Sequence, residues 1–164
     1  MKIKKIISLI LLLFFAGFIT ETSAQDTDND YLTGSVTLQE LKTDTLFSDI
    51  FAQEFKNYRV SHTKKISELL NNINIKIVLG TWCHDSQIQV PRFLKVVSEA
   101  GYDLNKIEIL AVNKKKELPG QKHQTLNIKR VPTFIFTNGN GTEIGRIIES
   151  PDKTLENDLI ALLQ

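Results

Sequence analysis

The feature that most constrains the fold is the run Ile75-Lys76-Ile77-Val78-Leu79, which stops at Gly80. Its length and β-branched content suit a strand buried on both faces of a sheet. Such a strand needs neighbours and cover, and the chain after it supplies both. Ile107 to Val112 and Pro132 to Phe136 read as two further buried strands, and the turn Asn138-Gly139-Asn140-Gly141 leads into a fourth that runs through Ile148, antiparallel to the third. Between the first two strands, Val90, Phe93, Leu94 and Val97 fall on one side of a helix that Gly101 ends, with Pro91 inside it and expected to kink it. Ser150-Pro151-Asp152 reads as the start of a closing helix whose inward face is Leu155, Leu159, Leu162 and Leu163. The order strand, helix, strand, connecting segment, strand, strand, helix defines an α/β fold with a small mixed sheet and helices on its faces.

Two helices are expected upstream. Leu46, Phe47, Ile50, Phe51, Phe55 and Tyr58 recur at three- and four-residue steps, and Ile66, Leu69, Leu70 and Ile73 do the same after a cap at Ser61, up to Asn74. The first 24 residues have a different character. Lys2, Lys4 and Lys5 precede the uncharged stretch Ile6 to Ile19, and Thr22-Ser23-Ala24 supplies small residues, the pattern of a signal peptide cut after Ala24. The stretch is short of the roughly 20 apolar residues of a membrane span. No cysteine stands near the cut for lipid attachment, so a periplasmic or secreted protein without stable membrane insertion is expected. The organisation is then a signal peptide at 1–24, a flexible polar leader at 25–44, and one domain at 45–164 comprising a helical extension (45–73) and a core (75–164). Cleavage takes the formal charge from +1 to −1, which gives nucleic acid and anionic lipid no electrostatic hold. Lys114 to Lys116, the basic run, reads as a solvated loop, and His62 and His123 as solvated residues of polar connections.

The single cysteine, Cys83, excludes an intramolecular disulfide, so packing must stabilise the domain. It lies in Gly80-Thr81-Trp82-Cys83-His84-Asp85-Ser86, directly after the first buried strand. This stretch resembles the thioredoxin active-site turn, and two further features strengthen the resemblance: Pro91 lies eight residues after Cys83, and Val131-Pro132-Thr133 opens a later strand. In detail it is similar to a bacterial exported branch of thioredoxin-like proteins with a Trp-Cys-x-Asp-Ser turn and a preceding helical extension. The resemblance implies a thioredoxin-like three-layer fold over Ile75 to Gln164, a cis bond at Pro132 facing the reactive thiol, and Cys83 as nucleophile. It also implies that Trp82, His84, Asp85, Val131, Pro132 and Thr133 form the substrate surface.

The departure from that family is Ser86, where a dithiol protein carries its second cysteine. A serine hydroxyl cannot take over a sulfur–sulfur bond, so a mixed disulfide on Cys83 would wait for another thiol. Ser86, one turn from Cys83, is expected to donate a hydrogen bond to the thiolate, with His84 assisting when protonated and Asp85 opposing. Plainer roles exist: Trp82 as cover for the sheet edge, His84 and Asp85 as exposed turn residues. Cys83, His84 and Asp85 are adjacent, and adjacent residues rarely converge on one metal, so no metal or other cofactor is expected. Two functions compete: thiol–disulfide exchange or capture with cysteine-containing exported proteins or small thiols, and a non-catalytic peptide-binding module using the groove beside Pro132. A thiol peroxidase fits poorly, since the Pro-rich approach to the cysteine is missing. The protein is expected to be monomeric.

Overall fold

The expected central strand is present as β2 (Asn74–Leu79) in a computed structural model that describes residues 30–120 and 123–164. The expected signal peptide, its cut after Ala24 and the leader residues 25–29 lie outside the described residues. β2 pairs in parallel with β3 (Glu108–Ala111) and antiparallel with β4 (Thr133–Thr137), and β4 pairs antiparallel with β5 (Glu143–Ile148). The turn between β4 and β5 closes as read. Asn138 Oδ1 accepts the N–H groups of Asn140 and Thr142, and Gly141 takes the positive φ of 80° that its position requires.

Residues 30–44 overturn the reading of a flexible leader. β1 (Gly34–Val36) adds to the far side of β3 in antiparallel register, making the sheet order β1-β3-β2-β4-β5. α1 (Leu38–Thr43) follows at once, opened by a capping box in which the Thr37 hydroxyl accepts the Glu40 N–H and the Glu40 carboxylate accepts the Thr37 N–H. The segment is ordered mainly by backbone pairing and caps, and only Val36 and Leu41 are buried in the core. Both expected upstream helices are present: α2 (Ser48–Asn57) and α3 (Thr63–Leu69). α3 starts after His62, whose φ of 56° turns the chain, and not from a Ser61 cap. Instead the Ser61 N–H donates to the Glu156 carboxylate, which also accepts the Tyr58 hydroxyl at 3.0 Å.

α4 (His84–Glu99) is one helix through Pro91, and Phe93, buried on it, stacks on Phe134 of β4 with ring centroids 4.3 Å apart. A short α5 (His123–Leu126) precedes β4, and α6 (Leu155–Leu163) closes the chain. α6 begins later than Ser150-Pro151-Asp152 indicates, because the Thr154 hydroxyl caps it by accepting the Asn157 N–H. Apolar residues of α1 to α4 and α6 bury one face of the sheet in a single cluster. The other face is thinner: Val78, Leu110, Val112, Leu118, Val131 and Ile135 form a small core, closed by Leu126, Ile128, Trp82 and Cys83. The thiol therefore sits where the sheet has little cover. Among the described residues no helix is long and apolar enough to cross a membrane.

Candidate functional site

The site grows from the end of β2. Gly80 leads into a tight turn in which the Cys83 N–H donates to the Gly80 carbonyl at 2.9 Å, and Cys83 then caps α4 in extended backbone conformation. The free N–H groups and the dipole of a helix start favour negative charge there. The sulfur is partly exposed, and its S–H donates to the Val131 carbonyl at 3.3 Å. The following bond, Val131–Pro132, is cis, as the resemblance implies. Cys83, Val131 and Pro132 are thus brought together from α4 and the start of β4, 48 residues apart for the hydrogen-bonded pair.

Trp82 is half-buried, and its indole Nε1–H donates to the Val112 carbonyl beyond β3 at 2.9 Å. The ring lies over Gly80 so closely that a Cβ there would stand 2.6 Å from Cε2, which is why a residue without a side chain occupies the position. Trp82 therefore covers the sheet edge and borders the thiol at once. His84 and Asp85 are exposed at the start of α4, and neither side chain has a hydrogen-bond partner among the described residues.

Two of the expected site residues face inward. Ser86 is fully buried, and its Oγ accepts the Gly80 N–H at 3.3 Å, so as an acceptor this hydroxyl ties β2 to α4. Thr133 is also buried and donates its hydroxyl to the Arg130 carbonyl at 2.7 Å, shaping the loop before β4. Both hold backbone next to the thiol with their side chains buried. The reading of Val131 as a contact residue rests on its carbonyl, since its side chain is buried.

Thr81 and Gln87 were not singled out by sequence reasoning. Thr81 is fully buried; its hydroxyl accepts the Leu32 N–H at 3.1 Å and its carbonyl accepts Gln87 Nε2 at 2.8 Å. Gln87 stands four residues after Cys83, on the same helical face, and that spacing was the available signal. A groove of about 850 Å³ lies at the other end of β2, between Leu70 to Asn74 and Gly101 to Asp103. It is open and polar, lined among others by Lys64, Ser67, Tyr102 and Lys106, and lies apart from Cys83. No group of three or more His, Cys, Asp or Glu able to hold a metal occurs among the described residues.

Residues 50–160, which carry this turn, the cis bond and four of the five strands, match the thioredoxin family. The chain belongs to the thioredoxin family. This thioredoxin-family chain is similar at low identity to a Pseudomonas aeruginosa protein of unknown function, at 15% identity over 71% of this chain and 81% of that one, with a TM-score of 0.43. It is also similar to mitochondrial thioredoxin 3 of Saccharomyces cerevisiae in its oxidised form, at 15% identity over 65% of this chain and 96% of that one, with a TM-score of 0.38. No curated protein matches the sequence.

Proposed function

We propose that this thioredoxin-family protein is an exported monothiol that exchanges disulfides with cysteine-containing exported proteins or small thiols through Cys83. The observation that carries the reading is the partly exposed Cys83 sulfur at the start of α4, hydrogen-bonded to the carbonyl before Pro132. Exchange begins when the S–H proton leaves to solvent; the thiolate then attacks one sulfur of a substrate disulfide. A bond forms between Cys83 and that sulfur, the substrate S–S bond breaks, and the second sulfur departs as a thiolate. Loss of the S–H also frees the Val131 carbonyl to accept an N–H from the incoming chain. With serine at position 86, release requires a second thiolate, from the substrate itself or from a small thiol. It attacks the mixed disulfide, forms the product disulfide and returns Cys83 as thiolate. Electrons balance with no other cofactor: the sequence is disulfide interchange, and becomes isomerisation when the resolving thiol belongs to the same substrate.

Acid quenching of cells expressing the protein, followed by mass spectrometry of disulfide-linked partners, tests the reading. Partners joined through Cys83 and lost in Cys83→Ser support it. Partner binding that is non-covalent and unchanged in Cys83→Ser refutes it in favour of a peptide-binding module in the same groove.

A further inference from the structure

The turn that carries the thiol is held by more than the thioredoxin core. Thr81, two residues before Cys83, is gripped from two sides: its hydroxyl accepts the Leu32 N–H at 3.1 Å, and its carbonyl accepts Gln87 Nε2 at 2.8 Å. The same Nε2 reaches the Leu46 carbonyl at 2.9 Å. A carboxamide nitrogen has two hydrogens, and here both are committed, one to the turn and one to the segment that precedes α2. Gln87 itself lies one turn above Cys83 in α4, and its N–H donates to the Cys83 carbonyl at 3.0 Å. Leu32 and Leu46 bracket β1 and α1, and both lie before residue 50, where the match to the thioredoxin family begins.

We propose that Gln87 is a positioning residue for exchange at Cys83, and that through it residues 32–46 form a working part of the site. The inference rests on the exchange reading above and adds the element that sets the geometry of the turn. With both anchors in place, the peptide between Thr81 and Trp82 is fixed in orientation, and with it the path from Gly80 to the sulfur opposite Val131. Replacement by glutamate keeps the shape of the side chain but turns an acceptor toward two carbonyl oxygens, so both anchors repel where they had attracted. Alanine removes the anchors without adding charge.

The test uses the full chain as wild type, Gln87→Glu, Gln87→Ala and Thr81→Val, the last of which removes the acceptor for Leu32. The rate of reaction of Cys83 with 5,5′-dithiobis(2-nitrobenzoate) is measured between pH 5 and pH 9, beside thermal unfolding and hydrogen exchange of residues 32–46. The expected result is about a tenfold slower reaction in Gln87→Glu, corresponding to about 1.4 kcal/mol in the barrier. Gln87→Ala should slow less, and protection of residues 32–46 should fall in all three variants at temperatures where the domain stays folded. Folded variants that react within twofold of wild type across the pH range overturn the inference while leaving the exchange reading intact. A slowing fully matched by the unfolded fraction also overturns it, because that is a stability effect alone. A wild-type protein that does not react at all removes the exchange reading, and this inference with it.

Discussion

Replacing Gly80 by alanine probes the joint between the sheet and the thiol turn. The added Cβ would stand 2.6 Å from Trp82 Cε2, 2.7 Å from Nε1 and 2.9 Å from Cζ2, all well inside contact distance. These atoms belong to a rigid ring held by the Nε1–H bond to Val112, so the indole must leave its place as a unit. The lost hydrogen bond costs about 1 kcal/mol, and forcing an atom into a filled site costs about 1–3 kcal/mol more, giving about 2–4 kcal/mol in all. Trp82 is the only tryptophan, so its emission reports the displacement directly. The variant should show red-shifted fluorescence and a lower urea midpoint with an unchanged slope. The decisive arm is a double-mutant cycle read by circular dichroism: with Trp82→Ala in place, Gly80→Ala should cost less than about 0.5 kcal/mol. An equal cost in both backgrounds, or an unmoved emission maximum, refutes the steric account.

Other outcomes follow from groups away from the thiol. Glu156, nearly fully buried on α6, accepts from Tyr58 and Ser61, so Glu156→Ala strands two donors and should cost about 2–4 kcal/mol in urea unfolding, with Glu156→Gln costing less. Tyr58 should ionise late: burial, then its bond to Glu156, pushes its phenol up to about 12, so absorbance titration of Tyr58→Phe should lack the last phenolate step. The unfolded chain releases that proton near 10 while the native state keeps it, so the Tyr58 contribution to stability is whole below about pH 10 and declines as the pH rises toward 12. Thr37→Ala removes the capping box of α1 and should cost about 1 kcal/mol, seen as faster amide exchange over Leu38–Thr43.

The core from Ile75 onward was legible because its signals are side-chain signals. A β-branched run, an apolar helical stripe and an Asn-Gly turn announce themselves, and Trp82-Cys83 with Val131-Pro132 marks the site. Residues 32–44 were illegible for the opposite reason. Three residues of strand and six of helix carry two buried apolar side chains, and their order comes from ladder bonds to β3, a capping box and the Leu32 N–H to Thr81. Backbone donors leave no mark in a sequence pattern. Leu46 shows the same limit: it belongs to the helical stripe by spacing, yet it precedes α2 and remains 39% exposed, its carbonyl taken by Gln87. Ser86 was legible by position, but its role as acceptor of the Gly80 N–H was not, because a backbone donor leaves no mark in the sequence. The cis isomer at Pro132 was legible only through the resemblance to the thioredoxin family, carried by Trp82-Cys83 and Val131-Pro132-Thr133, since nothing in the local sequence itself dictates it.

The most direct measurement of the central claim follows Cys83 in the purified protein after one equivalent of glutathione disulfide, by intact-mass spectrometry, before and after a small thiol is added. The account predicts a single glutathione adduct on Cys83 that persists until the thiol arrives and then disappears. A protein that forms no adduct, or that sheds it with no thiol present, contradicts it.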